Sequence, residues 1–332
     1  MLSKKIVLAG CAALALAATA LAGSDVRIGS AGGQELLLPV GARGLALGGG
    51  VVADARGVEA THWNPAGVSR QDGTEIMFMH MPYFADIDVN FFGASTQVGE
   101  MGTFAASAKI VDIGDIEETT ETQPDGTGVT FSPTLSVIGL TFSRQMTNQV
   151  NFGITANYIN ERIFDVSANS FSFDLGFTFE PQLRGFQVGM VIKNIGPDIR
   201  FSGRGFDRRA ESLGPRAVRS LNAAAELPSY VLLGAKYTLP SNSPSEFTLL
   251  GNFQSNNFSE DAYIGGIEYG YDGKYFVRAA YNYSDQTDYQ YGASIGGGIS
   301  LEINETLVTF EAAWREAEFF ESDVMFTGKV LF

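Results

Sequence analysis

The chain has 332 residues, with 22 Lys and Arg against 37 Asp and Glu and a formal net charge of −15. A surface this acidic has no basic face with which to neutralise phosphates, which excludes nucleic acid as a partner. A single cysteine, Cys11, excludes a disulfide scaffold, and after residue 23 no apolar run approaches the ~20 residues that a spanning helix needs.

Taken in chain order, the first element is a leader. Lys4 and Lys5 form a basic start, Ile6 to Leu21 is an almost unbroken apolar run, and Ala20-Leu21-Ala22 is a small-x-small site. The pattern predicts a secretory signal peptide over 1–22, cleaved before Gly23. Leu8-Ala9-Gly10-Cys11 resembles a lipoprotein box, but it leaves too short an apolar stretch before the cut.

Residues 23–72 are set apart as a hatch or plug segment, and within them 29–70 shows no strand alternation. They are dense in small residues: Gly41, Gly44, Gly48, Gly49 and Gly50, then Ala53, Ala55 and Ala60. Small residues allow backbones to pack closely. Lying ahead of the first strand, such a segment can fold back into a barrel lumen and plug it.

From residue 73 onward the chain alternates. Phe171, Phe173, Leu175, Phe177 and Phe179 interleave with Ser170, Ser172, Asp174, Gly176 and Thr178, and the same pattern recurs over 150–160, 274–284 and 308–315. Successive strand residues face opposite sides, so one side suits lipid and the other a polar lumen. The predicted strands are 74–81, 87–98, 101–113, 132–143, 149–161, 168–180, 184–195, 228–238, 245–255, 262–271, 273–285, 288–302, 305–316 and 321–332. Fourteen antiparallel strands close without an edge, and most reach the ~9–11 residues of a tilted span. The fold class is therefore all-β, a 14-stranded transmembrane barrel over 73–332 with an N-terminal hatch, in a cell outer membrane.

Connection lengths agree with this count. With the first strand running outward, short periplasmic turns fall near 99–100, 144–148, 181–183, 239–244, 272 and 303–304. The two long connections, acidic 114–131 and Arg-rich 196–227, fall on the outer side. Charges expected in the lumen are Asp88, Lys109, Asp174, Lys193, Lys236, Glu268, Lys274, Arg278, Glu302, Glu311, Arg315 and Lys329. Their mixed signs fit pairing and contact with a hatch better than an open selective pore, which more often carries a ring of one sign. The end of the chain, with Gly328, Val330 and a terminal Phe332 on an alternating strand, resembles the C-terminal signal read by the barrel assembly machinery.

Pro39-Val40-Gly41-Ala42-Arg43, the glycine run 48–50, Ala53-Asp54 and Trp63-Asn64-Pro65-Ala66-Gly67 together resemble the N-terminal signature of the PorV/PorQ family, a branch of the FadL-like outer-membrane barrels. The resemblance covers about 40 residues. It implies a hatch whose motif is Arg43, Gly44, Trp63, Asn64, Pro65, Ala66 and Gly67. Pro65 fixes φ and removes a donor, Asn64 can bond local backbone, and Trp63 is a large anchor with one N–H.

Catalytic, metal and cofactor sites are not expected. Gly41 to Gly50 has neither a preceding strand nor a following Lys-Ser/Thr, so phosphate-loop contexts fail. The chain has only two histidines, His62 and His80, with no supporting acid evident and no Gly-x-Ser-x-Gly elbow, and the acidic loop lacks a calcium-loop spacing. Two roles remain, both with outer-membrane lipid around the barrel. The PorV/PorQ resemblance implies delivery of secreted cargo through protein partners of the type IX secretion system. The wider FadL-like resemblance implies transport of fatty acids or other hydrophobic small molecules. Transport calls for an apolar path past the hatch, and delivery for a sealed lumen.

Overall fold

A computed structural model describes residues 27–209, 217–219 and 222–332. The expected signal peptide 1–22 lies outside the described residues, as do 23–26 and part of the Arg-rich loop.

Fourteen long strands form the wall: β1 (Thr74–Pro82), β2 (Asp88–Val98), β3 (Gly102–Asp112), β4 (Thr134–Thr147), β5 (Val150–Ile163), β6 (Val166–Phe179) and β7 (Phe186–Ile195), then β8 (Tyr230–Thr238), β9 (Ser245–Asn256), β10 (Ala262–Tyr271), β11 (Tyr275–Ser284), β12 (Tyr291–Ile303), β13 (Thr306–Ala317) and β14 (Asp323–Leu331). Each pairs antiparallel with its chain neighbours, and β1 pairs with β14, so the sheet closes on itself. Closure leaves no unpaired edge for lipid to face. All fourteen strands expected from alternation are present. The main difference in extent is β4, which runs on to Thr147 through an irregularity between Gln145 and Thr147.

The connections divide by end. One end carries 99–101, 148–149, 180–185, 239–244, 272–274 and 304–305, and is called here the turn end. Asn304 and Glu305, at φ 50 and 68, make a two-residue hairpin of the primed type that matches strand twist. The other end, the loop end, carries 113–133 and 196–229. The first of these holds a small hairpin, Ile116–Glu117 against Thr130–Phe131. In the second, Phe201–Gly203 pairs with the outer part of β6, beyond the point where β7 leaves it.

Along β6 the faces are as the alternation requires. Phe171, Phe173, Phe177 and Phe179 are exposed on the outside, and Ser170, Ser172, Asp174 and Thr178 are buried inside. On β1, β2 and β14 the rule breaks. Met77, Met79, Met81, Val89, Phe91 and Met325 are all buried on the inner face, while Ile76, Phe78, Phe92 and Phe326 are exposed on the outer one. Both faces are apolar there because the inner one is covered by the chain's own Val40, Ala42, Leu45 and Val58.

Residues 27–73 run through the lumen. They begin at the loop end, where the Gly32 N–H donates to the Glu226 carbonyl at 3.0 Å, and they finish at the turn end, where Thr74 pairs with Phe332. Two short helices, α1 (Ala42–Ala46) and α2 (Ala60–Trp63), and 3-10 turns at Gln34–Leu37, Gly57–Glu59 and Pro65–Arg70 fold this inner segment. None exceeds six residues, so their stability comes from packing against the wall rather than from propensity.

Candidate functional site

The inner segment is seated on glycines of the wall. Gly153 on β5 and Gly176 on β6 are directly paired across the strands. A side chain at Gly153 would overlap the Pro65 carbonyl and the Ala66 nitrogen, and one at Gly176 would overlap the Asn64 amide and reach 2.9 Å from Pro65 Cδ. Gly189 on β7 and Gly234 on β8 form a second pair. A Cβ at Gly189 would meet Ala53 Cα at 2.7 Å, and one at Gly234 would lie 3.3 Å from Val52 Cβ. Two stretches of segment backbone thus lie flat on two bare patches of sheet.

The residues of the WNPAG stretch each have a definite contact. The Trp63 indole N–H donates to the Val40 carbonyl at 2.7 Å, and its ring lies where a side chain on Gly44 would go. The Asn64 amide donates to the carbonyls of Val52, at 2.8 Å, and of Phe177 on β6, at 3.2 Å. Its oxygen accepts from the Ala66 N–H at 3.2 Å, capping the 3-10 turn that Pro65 opens. Gly67 has no room for a side chain against the Ala55 carbonyl. Ser143 on β4 donates to the Ala66 carbonyl at 3.2 Å. The chain then leaves the 3-10 turn for β1.

Arg43 belongs to a different structure, a string of alternating charges across the lumen. Lys236 meets Asp54 at 2.5 Å, Asp54 meets Arg43 at 2.5 Å, and Arg43 meets Glu268 at 2.9 Å. Arg278 bridges Glu268 and Glu311 at 2.5 and 2.8 Å, and Lys329 bridges Glu311 and Glu59 at 2.8 and 2.6 Å. Asp54, Arg43 and Glu59 come from the inner segment and the others from β8, β10, β11, β13 and β14. Burial alone would raise the Asp54 carboxyl, but the charges of Arg43, Lys236, Arg56 and Arg70 hold it well below the usual carboxylate range.

A second polar group lies nearer the loop end. Lys193 pairs with Asp174 at 2.9 Å, and Lys109 donates to the Leu38 carbonyl at 2.9 Å. With His62 they line a small cavity of about 30 Å³, room for a water or two. Burial, then the Lys109 and Lys193 charges, push the His62 imidazole well below its ordinary range, so it is neutral. Larger recesses open at the turn end. One of about 270 Å³ is lined by Arg43, Asp54, Arg278 and Glu311, and its neighbour of about 370 Å³ by Glu268, Thr248 and the 239–245 turn.

Most of the expected lumenal charges are inside. Three are not. Asp88 faces outward beside His80, 3.8 Å away, because the inner face of β2 is taken by Val89 and Phe91. Lys274 sits in the 272–274 turn and Glu302 on the last residues of β12 at the turn end, both exposed, with Lys274 paired to Asp272 at 2.8 Å. At the C-terminus Gly328 lies between Phe78 and Phe310 on the neighbouring strands, Val330 opposes Ile76, and Phe332 is exposed. The wall glycines and Glu59 do not stand out in the sequence as parts of a site, and the pairing of Asp54 with Lys236 or of Arg43 with Glu268 is not readable there. Glycines at inward positions of otherwise well-formed strands were the readable signal.

No family model matches the chain, and no curated protein matches it. Solved structures do. The monoaromatic hydrocarbon channel CymD superimposes with a TM-score of 0.55 at 13% identity, covering 89% of this chain and 97% of its own. The Pseudomonas putida toluene transporter TodX gives 0.53 at 13%, covering 88% and 97%. A Pseudomonas aeruginosa FadL homologue gives 0.51 at 12%, covering 89% and 98%. The fold is that of the FadL-type channels. These neighbours are channels and transporters, not enzymes.

Proposed function

We propose that this chain is an outer-membrane channel for hydrophobic small molecules, with residues 27–73 as its internal gate and the loop end facing outward. One observation carries the reading: the apolar inner wall of β1, β2 and β14. It runs from the stacked rings of Phe84 and Phe320 at the loop end, through Tyr83 and Ile87, to Met81, Met79 and Phe91. Thioether side chains are polarizable and adapt to flat apolar ligands. The nearby cations are committed, Arg315 to Asp323 and Lys109 to Leu38, which favours an uncharged solute over a carboxylate. The channel and transporter named above support the same class. In this conformation Val40, Ala42 and Leu45 cover the wall, so passage requires the inner segment to move. The exposed Phe332 at the end of β14 fits insertion by the barrel assembly machinery.

A disulfide tests the gate. The 3.3 Å between Val52 Cβ and a Cβ at position 234 is close to the ~3.5–4.5 Å of natural bridges, and the Asn252 amide that such a Cβ would overlap is the end of a side chain and can turn aside. The V52C/G234C variant, in a Cys11→Ala background, should take up labelled toluene into intact cells at the vector-only rate when oxidised and regain uptake on reduction. Equal uptake in both states would sink the gate.

The delivery role implied by the PorV/PorQ resemblance is the second reading. What favours it is the inner segment filling the middle of the lumen, where the cavity beside His62 holds about 30 Å³. On that reading a deletion strain loses surface proteins while its toluene uptake stays as it was.

A further inference from the structure

We infer that residues 27–38 form a proton-controlled strap across the loop end of the barrel, held down while the Glu35–Glu161 pair keeps a proton and loosened when that proton leaves. The inference goes beyond the channel reading and rests on the strap's own contacts. Glu35, on the Gln34–Leu37 turn, is 1% exposed, and neither of its carboxyl oxygens meets a protein donor. It lies against the carboxyl of Glu161 on β5. Two carboxylates cannot donate to each other, whereas with one proton between them they make a hydrogen bond. Glu161 also accepts the Gly33 N–H at 3.0 Å, and Gly33 presents that N–H from a left-handed conformation at φ 67.

The rest of the strap is held without charge at the pair. Gly32 donates to the Glu226 carbonyl, and Leu36 packs with Ile159, Ile199 and Leu227. The charged groups around the pair are few. Lys109 of β3 gives its ammonium to the Leu38 carbonyl. Asp174 of β6 and Lys193 of β7 neutralise each other, and Glu226 of the long loop pairs with Arg27 at 2.8 Å. Of these the Lys109 charge reaches Glu35 and lowers its carboxyl, but by less than burial and the Glu161 charge raise it.

The direction with pH follows. Burial, then the Glu161 charge, pushes the Glu35 carboxyl up to about 8. A released strap ionises in the ordinary Glu range, near about 4.3. Between those values the docked strap holds more protons than the free one, so docking is firmest in acid, weakens as pH rises through that window, and changes no further above it.

Electron paramagnetic resonance of a nitroxide on Gln34→Cys, in a Cys11→Ala background, reads this directly, since Gln34 is exposed. The mobile-to-immobile ratio should rise by up to about tenfold per pH unit across the window. The added E35Q change should abolish that rise and leave the label immobile to alkaline pH. E161Q, which removes the second charge, should move the midpoint down. A ratio that is flat with pH, or a rise that survives in both E35Q and E161Q, overturns the strap.

Discussion

Placing a valine at Gly176 will prevent the inner segment from seating and cost about 3 kcal/mol or more. The added side chain meets the Asn64 amide, Pro65 Cδ and the Ala66 nitrogen, which is backbone and cannot swing aside. Displacing Asn64 also strands the buried Val52 carbonyl, worth about 1–3 kcal/mol when left unsatisfied. Gly153→Val attacks the same stretch from the paired position, so the double variant should cost little more than either single one. Gly265→Ala is the control, because nothing lies within 4 Å of a Cβ there, and it should stay within about 0.5 kcal/mol of the parent. Urea unfolding in detergent, followed by heat-modifiable migration on gels, measures all four. A parent-like midpoint for Gly176→Val would mean that the segment does not lie on that patch.

Asp54→Ala should be comparably damaging for a different reason. It removes the one anion that, among the described residues, Arg43, Lys236, Arg56 and Arg70 share. Breaking a buried ion pair from one side costs about 3–5 kcal/mol, because the other charge stays buried. Removing Lys236 as well, as in Asp54→Ala with Lys236→Met, should restore about 1 kcal/mol or more. Because Asp54 is held below the ordinary carboxylate range, its contribution is present at neutral pH and is lost only as pH falls below about 4. Glu35 runs the other way: its contribution is complete in acid and fades as pH rises from about 4.3 to about 8.

The wall was legible because each strand repeats one local rule. Phe171 to Phe179 and Tyr275 to Tyr283 announce two faces within a few residues, and turns such as Asn304-Glu305 separate them. The rule hid the inner surface of β1, β2 and β14. There Met77, Met79 and Met81 alternate with Ile76, Phe78 and His80, so the faces differ little in polarity, and only the segment packed inside explains the methionines. Asp88 was misplaced for the same reason. Within the segment, Asn64 suggested a local bond, and Asn64–Ala66 is one, whereas the Trp63 N–H reaches Val40, 23 residues away. The partners on the wall were beyond reading. Arg43 with Glu268, or Asp54 with Lys236, join residues about two hundred positions apart, and such pairings are set by the closed barrel rather than by any spacing.

The account depends on residues 27–73 running the length of a fourteen-stranded barrel, from its outer mouth to its periplasmic end. Cysteine labelling with a membrane-impermeant maleimide in intact cells tests it most directly, using the exposed positions Gln34→Cys at the loop end and Asp72→Cys at the turn end. The prediction is that Gln34→Cys reacts from outside in intact cells and Asp72→Cys only after the outer membrane is permeabilised. Labelling of Asp72→Cys in intact cells with Gln34→Cys protected, or equal labelling of both, would contradict the threading and the orientation together.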